Sequence, residues 1–95
     1  MNNHKYTLDH TSVFKKDLKK ALKRGCNMKS LDDIVEKLLC GEPLPEKNKD
    51  HALTGNWKGH RECHITPDWL LVYRIIENTL ILSLVRTGSH SDLEF

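Results

Sequence analysis

The amino-acid sequence predicts an α+β fold, in which an N-terminal helix pair packs on one face of a small antiparallel sheet. Three observations support this prediction. Apolar residues recur at helical spacing over residues 11–41, apolar-rich segments bounded by turn residues fill residues 57–86, and a loop with two prolines separates them. Helices followed by strands are typical of the α+β class. A chain of 95 residues is long enough for one domain, covering residues 1–95, and too short for two.

The first helix is predicted to begin at Thr11 or Ser12, since either hydroxyl can cap it, and to end at Gly25. Residues 4–8 alternate in polarity before it and predict a short strand. The apolar stripe of the helix consists of Phe14, Leu18, Ala21 and Leu22.

The second helix is predicted to begin at Ser30 and to stop at Gly41, just before Pro43. Its apolar stripe consists of Leu31, Ile34, Val35, Leu38 and Leu39. Two such helices should form an antiparallel pair that covers one face of the sheet and leaves the other face free for chemistry.

The second half of the chain predicts a three-stranded antiparallel meander. Its apolar segments are Trp57 to Ile65, Trp69 to Ile76 and Thr79 to Arg86. The turn signals between them are Thr66-Pro67-Asp68 and Glu77-Asn78, and Asn78 is expected to take the positive φ of a two-residue hairpin.

Composition excludes several classes of protein. No apolar run approaches the length of about 18 residues that a membrane span needs, and the first residues lack the features of a signal peptide, so we expect a cytoplasmic protein. Cys26, Cys40 and Cys63 form no CxxC pair, which argues for reduced thiols.

Seven cations between Lys15 and Lys29 stand against Asp17 alone, a charge pattern that suits either a nucleic acid or an ordinary solvated helix face.

Histidines are concentrated in the second half of the chain, where residues 51–95 hold four of the six. Imidazole can both take and give a proton near neutral pH, as cleavage of RNA by transesterification requires. His64 and Asp68 flank a tight turn, so their side chains are expected to lie together at one rim of the sheet. His90 follows the last strand and can fold back over its edge. The alternative for each histidine is an exposed or capping role.

A metal site is not expected among these histidines, and the sequence indicates no cofactor. His60, Glu62 and His64 share one face of their strand, but residues four apart on a strand are separated by about 13 Å, too far for two imidazoles to share one ion. The odd-numbered residues of this strand face the other way, so Trp57 and Cys63 are expected in the core.

Three further side chains are candidates for binding a substrate. Trp69 could pack in the core or offer a surface on which an unpaired base stacks. Arg61 and Arg86 could offset phosphate charge, or could form surface ion pairs with Glu62 or Asp92.

Four strings in a fixed order resemble YafQ-type toxins of the RelE superfamily: KDHAL at 49–53, GNWKG at 55–59, RECHITPDW at 61–69 and RTGSH at 86–90. The resemblance covers nearly the whole chain. It implies a RelE-like microbial RNase fold and a type II toxin that cleaves messenger RNA, commonly at the ribosome. It also implies an acidic cognate antitoxin that holds the toxin inactive, in a complex that binds promoter DNA.

The resemblance also implies a set of site residues. The catalytic residues of the family fall on His51, His64, Asp68 and His90, with Trp69 beside them. Within this set the histidine of the RTGSH string is the usual general acid. The terminal aromatic of the family falls at Glu94, so Phe95, one residue later, is the candidate for stacking on the substrate.

Together these observations predict a metal-independent endoribonuclease that leaves a 2′,3′-cyclic phosphate. We expect His64, oriented by Asp68, to act as the base and His90 as the acid, although the two roles can be exchanged. Phosphate is expected to be bound or stabilised by His51, Lys58, Arg61 and Arg86. The alternative is a non-catalytic module that binds RNA or protein through its basic helix.

Overall fold

The computed structural model describes residues 3–93, and within this range the chain forms two α-helices and five β-strands. The elements in chain order are β1 (Thr7–His10), α1 (Ser12–Lys23), α2 (Met28–Leu39), β2 (His51–Ala52), β3 (Arg61–Thr66), β4 (Trp69–Ile76) and β5 (Ile81–Gly88). Short 3₁₀ turns cover Glu46–Asn48 and Gly55–Trp57. No helix among the described residues is long and apolar enough to span a membrane.

The strands form one mixed sheet in the order β1-β5-β4-β3-β2, which confirms the predicted α+β class. Strands β3, β4 and β5 form the predicted antiparallel meander. The sheet differs from the prediction at both edges, where β1 pairs parallel to β5 and the short strand β2 pairs antiparallel to β3. The first strand also lies at Thr7–His10 rather than at 4–8, because the backbone N–H groups of Lys5 and Tyr6 donate to the Leu39 carbonyl oxygen, at 2.8 and 3.1 Å.

The helix boundaries follow from their caps. Thr11 caps α1 as predicted, because its Oγ1 accepts the Phe14 N–H at 2.9 Å. The predicted start of α2 at Ser30 is wrong. Asn27 caps this helix instead, and its Oδ1 accepts the Lys29 N–H at 3.0 Å, so the helix begins at Met28.

The main core lies between the helices and one face of the sheet. Its buried residues include Phe14, Leu31, Ile34, Leu38, Cys63, Trp69, Leu71, Tyr73, Leu82 and Leu84. The opposite face, which was expected to be free, carries a smaller cluster of Leu70, Val72 and Leu93, with Leu53, Trp57 and Val85 packed against it. Only part of that face is therefore open, and we call the part that carries His51, Glu62 and His64 the histidine face.

The two turns of the meander differ from each other. Pro67 and Asp68 connect β3 to β4 as predicted, next to a register shift between His64 and Thr66. The predicted two-residue hairpin at Asn78 is wrong: β4 and β5 are joined by the four residues 77–80, and Leu80, with φ 53°, carries the left-handed conformation. The Leu80 carbonyl accepts the Thr7 N–H at 2.8 Å, so the turn is shaped by its contact with β1.

This geometry predicts different effects of valine at two positions of the same turn. Leu80→Val should lower the free energy of unfolding by about 1 kcal/mol or more, because a β-branched side chain is strained at positive φ. Asn78→Val should change it by no more than about 0.5 kcal/mol, as is usual at exposed positions. Urea unfolding of both variants measures the difference. Equal losses would contradict the placement of the strain at Leu80.

Candidate active site

The histidine face is built by the alternation of side chains along β3. Glu62 and His64 pair across the ladder with Val72 and Leu70, which belong to the cluster on the face opposite the helices. His51 of β2 pairs with Glu62 and so joins the same face. The alternation along β3 and the pairing of β2 with β3 therefore place the Glu62 carboxylate between the imidazoles of His51 and His64.

Asp68 and His90 form the closest pair at the rim of this face. The Nδ1 atom of His90 lies 2.8 Å from Asp68 Oδ1, and the His90 backbone N–H donates to the same oxygen at 3.3 Å. The ring of His64 lies edge-on to that of His90, with 5.5 Å between centroids and 69° between planes. Three of the four predicted catalytic residues are thus brought together.

The partner of Asp68 differs from the prediction, which assigned this carboxylate to His64. Asp68 immediately precedes β4, the strand that lies between β3 and β5. Leu70 of β4 pairs with His64 on one side and with Gly88 on the other, so Asp68 can reach either neighbouring strand. The turn that follows β5 delivers His90 to it, and Asp68 therefore orients the histidine that was assigned as the acid.

The turn that carries His90 is held by Asp92. Ser89 N–H donates to Asp92 Oδ2 at 2.9 Å and Asp92 N–H donates to Ser89 Oγ at 3.2 Å, the reciprocal pattern of a capping box. Arg24 binds the same carboxylate in a bidentate pair at 2.5 and 3.2 Å, and this guanidinium holds the pKa of Asp92 far below its usual range. A Cβ at Gly88 would lie 2.8 Å from the Asp92 Cβ, so only glycine allows the approach.

Sequence reasoning considered Asp92 and Glu62 only as alternative ion-pair partners of the two arginines, and did not predict that they hold the site. The signal for Asp92 is the Ser-x-x-Asp spacing that begins at Ser89, a pattern typical of a capping box. The signal for Glu62 is its parity with His64 on the strand.

His51 lies between two acceptors. Its Nδ1–H donates to the Lys49 carbonyl oxygen at 2.7 Å, and its Nε2 lies 3.5 Å from Glu62 Oε1. A carbonyl can only accept, so the Nδ1 atom carries the proton. The imidazolium form satisfies both contacts, which makes this ring suited to face a phosphate as a cation.

Both predicted arginines are partly buried and ion-paired, with partners other than Glu62 or Asp92. Arg61 points to the helix side and binds Asp50 at 3.2 and 3.3 Å, and the Tyr73 hydroxyl donates to the same carboxylate at 2.5 Å. Burial raises the pKa of this tyrosine, and so does the hydrogen bond to Asp50. Arg86 binds Asp17 of α1 at 2.7 and 3.2 Å.

The remaining predicted residues divide between core and surface. Trp69 is 5% exposed and packs in the main core, so stacking of a base on its ring is ruled out in this structure. Cys63 is also in the core, where burial raises its pKa to about 12. Lys58 is exposed after the 3₁₀ turn Gly55–Trp57. Phe95 lies outside the described residues.

A cavity of about 220 Å³ adjoins Asp68 on the helix side of the rim. Its cations Lys20, Arg24 and Arg86 are all paired with Asp92 or Asp17. Side chains that could share a metal ion come together elsewhere, at His4, Glu36 and Cys40.

Comparison with known proteins gives consistent matches over almost the whole chain. The family model described as "Bacterial toxin of type II toxin-antitoxin system, YafQ" matches residues 6–94. The mRNA interferase toxin YafQ of Escherichia coli K12 is 38% identical over 87 residues, which are 90% of this chain and 92% of the relative.

Solved structures agree with these matches. The toxin in the E. coli DinJ–YafQ toxin–antitoxin complex superposes with a TM-score of 0.86 at 36% identity, covering 96% of this chain and 99% of that chain. A metal-bound toxin from Helicobacter pylori superposes with a TM-score of 0.87 at 46% identity, covering 93% and 98%.

The Asp68–His90 hydrogen bond predicts how the carboxylate titrates. This bond holds the pKa of Asp68 below its ordinary value, so a titration followed by NMR should give a higher Asp68 pKa in His90→Ala than in the unchanged chain. A depressed pKa in the folded state means that the contribution of the pair to stability is present above the ordinary Asp range and is lost as the pH falls through the folded pKa.

The effect of this pair on unfolding should be small, because 75% of the Asp68 side chain is exposed. Asp92 serves as the internal reference, since its low pKa depends first on Arg24 and should stay low in the same variant. An Asp68 titration unaffected by His90→Ala would contradict the pairing.

Proposed function

The chain belongs to the YafQ family of bacterial toxins from type II toxin–antitoxin systems, and we propose that it cleaves messenger RNA with the side chains of its histidine face. The observation that carries this proposal is the 2.8 Å contact between Asp68 and His90, with the ring centroid of His64 5.5 Å from that of His90. Cleavage at one phosphate needs one group that removes a proton and one that gives a proton, and two neighbouring imidazoles can supply both.

The proposed reaction is transesterification within the RNA strand. A base removes the proton of a 2′-hydroxyl, the resulting oxygen attacks the adjacent phosphorus, and the bond from phosphorus to the 5′-oxygen breaks. An acid gives a proton to that departing oxygen. The products are a 2′,3′-cyclic phosphate and a 5′-hydroxyl, so protons balance between the two side chains.

We assign the acid to His90. The ionised Asp68 carboxylate accepts from Nδ1 and stabilises the imidazolium, so Nε2–H is the group that protonates the leaving oxygen. The ring is 59% exposed and can therefore reach a substrate laid across the rim. His64, whose ring contacts that of His90, is assigned as the base.

We assign the stabilisation of phosphate charge to His51 and Lys58. His51 is held by Lys49 and Glu62 in an arrangement suited to its cationic form, and Lys58 is exposed on the neighbouring turn. Arg61 and Arg86 can contact phosphate only by exchanging Asp50 or Asp17 for the RNA, which makes them secondary candidates. Phe95 is retained as the candidate for stacking on the substrate.

The proposal extends to partners and place of action. The E. coli relative is solved in complex with DinJ, and we propose an antitoxin of the same kind for this chain, with an acidic segment that covers basic residues. We further propose that the substrate is messenger RNA on the ribosome in the cytoplasm, and that the toxin–antitoxin complex binds its promoter DNA.

The test of the acid is His90→Ala. Removing the donor to the 5′-oxygen should slow cleavage by a factor of about 10² to 10⁴ under single-turnover conditions. Asp68→Asn should slow it less and should shift the pH profile, because the ring remains but loses its orienting charge. RNA binding should survive, since its affinity is spread over several phosphate contacts.

Controls separate chemistry from binding. Lys58→Ala should weaken RNA binding and its salt dependence more than it slows cleavage at saturating substrate. Cleavage should persist in EDTA, because two imidazoles can perform both proton transfers. Tight RNA binding without new RNA ends, by the unchanged chain on free and on ribosome-bound messenger RNA, would support a binding module instead.

A second prediction concerns the antitoxin. Expression of this chain alone should stop growth, and co-expression of an acidic partner should restore it by forming a complex of nanomolar affinity or tighter that weakens as salt rises. His90→Ala should bind this partner undiminished, because one imidazole is a small part of such an interface. Growth and translation that continue under unrestrained expression would contradict the assignment.

A further inference from the structure

Three different metal-ligating side chains meet where the N-terminal segment, residues 4–6, packs on α2. Among residues 3–93 the one group of three or more His, Cys, Asp or Glu ligand atoms within 4.8 Å of one another is His4, Glu36 and Cys40. His4 Nε2 lies 2.6 Å from Glu36 Oε2, and the Cys40 thiol donates to the same oxygen at 3.5 Å. Imidazole, carboxylate and thiol are thus already arranged around one point.

The distances are close to those of a zinc site. Bonds of about 2.3 Å to sulfur and about 2.0–2.2 Å to nitrogen and oxygen place tetrahedral ligand atoms about 3.3–3.6 Å apart. The distance from Cys40 Sγ to Glu36 Oε2 already fits, and the distance from His4 Nε2 to that oxygen needs to open by less than about 1 Å. Side-chain rotation of the exposed Glu36, whose side chain is 60% exposed, can supply such a movement.

We propose that His4, Glu36 and Cys40 form a structural Zn²⁺ site that fastens the N-terminal segment to the C-terminal end of α2. Glu36 and Cys40 line a shallow depression together with Asp33 and Glu42, so a carboxylate oxygen or water is available as the fourth ligand. The backbone already joins these elements, because the Lys5 and Tyr6 N–H groups donate to Leu39 O, so the three ligands are held together before an ion arrives. A small domain gains stability from such a clamp.

The local charge favours a cation. Three of the five residues that line the depression are acidic, namely Asp33, Glu36 and Glu42, against one lysine, Lys37. When no ion is bound, the thiol proton of Cys40 lies in the hydrogen bond to Glu36. Zn²⁺ would replace this proton, so its binding should release a proton and strengthen as the pH rises.

The site is remote from the histidine face. The Tyr6 hydroxyl donates to Glu77 Oε1 at 3.2 Å, which places the N-terminal segment beside the turn that follows β4. Asp68 lies at the other end of β4, a strand of eight residues that extends about 23 Å. An ion at His4 would therefore contribute to stability and take no part in the cleavage of RNA.

The test is a calorimetric titration of the full chain, freed of metal, with Zn²⁺ alone. The unchanged chain and the matched control Cys26→Ser should bind one equivalent and gain a higher melting temperature. Cys40→Ser and Glu36→Gln should each bind at least about tenfold more weakly, with no gain in melting temperature. His64→Ala should keep the full equivalent, which separates this site from binding at the histidine face.

Two further readouts keep the test decisive. Co²⁺ in place of Zn²⁺ should give a thiolate charge-transfer absorption in the unchanged chain and in Cys26→Ser. This absorption reports the bond between the Cys40 sulfur and the ion directly, even if another variant folds poorly. RNA cleavage by Cys40→Ser should equal that of the unchanged chain. Absence of binding to the unchanged chain, or equal Zn²⁺ affinity in Cys40→Ser, would overturn the proposal.

Discussion

The histidine face depends on the position of β4, which is hydrogen-bonded to β3 on one side and to β5 on the other. Its first five residues are buried, so apolar packing on both faces of the sheet fixes its register. One residue, Leu70, pairs with His64 and with Gly88. A register slip by one position would turn His64 toward the helices and separate it from His90.

Ion pairs hold α1, β2 and the turn that carries His90 in place around the sheet. Asp92 joins the turn of His90 to Arg24 just after α1, Asp17 joins α1 to β5 through Arg86, and Asp50 joins the start of β2 to β3 through Arg61. Removing one partner of such a part-buried pair leaves the other charge poorly solvated, which costs more than the pair itself contributes. The turn of His90 and the start of β2, which carries His51, are therefore held by carboxylates that lie outside the histidine face.

The two ends of β4 serve different purposes in this view. The end at Asp68 gathers the imidazoles to which we assign the proton transfers, while the end at Glu77 accepts a hydrogen bond from Tyr6 of the N-terminal segment. A toxin of this size buries little core in relation to its surface, so fastening its N-terminal segment far from the active site can add stability without disturbing the chemistry.

The sequence by itself determined the helix pair, the meander and the residues worth testing. Period and turn residues are local properties of the chain, so Thr11, the helical stripes apart from the exposed Leu22, and the Pro67-Asp68 turn could be found without a structure. It did not determine which side chain Asp68 binds, that Trp69 is buried and both arginines are paired with aspartates, or that Leu80 rather than Asn78 takes positive φ. Those features depend on contacts between residues far apart in the chain, such as Asp17 with Arg86 or Thr7 with Leu80. Only the packed tertiary structure decides such contacts, because no local pattern records which strand lies beside which.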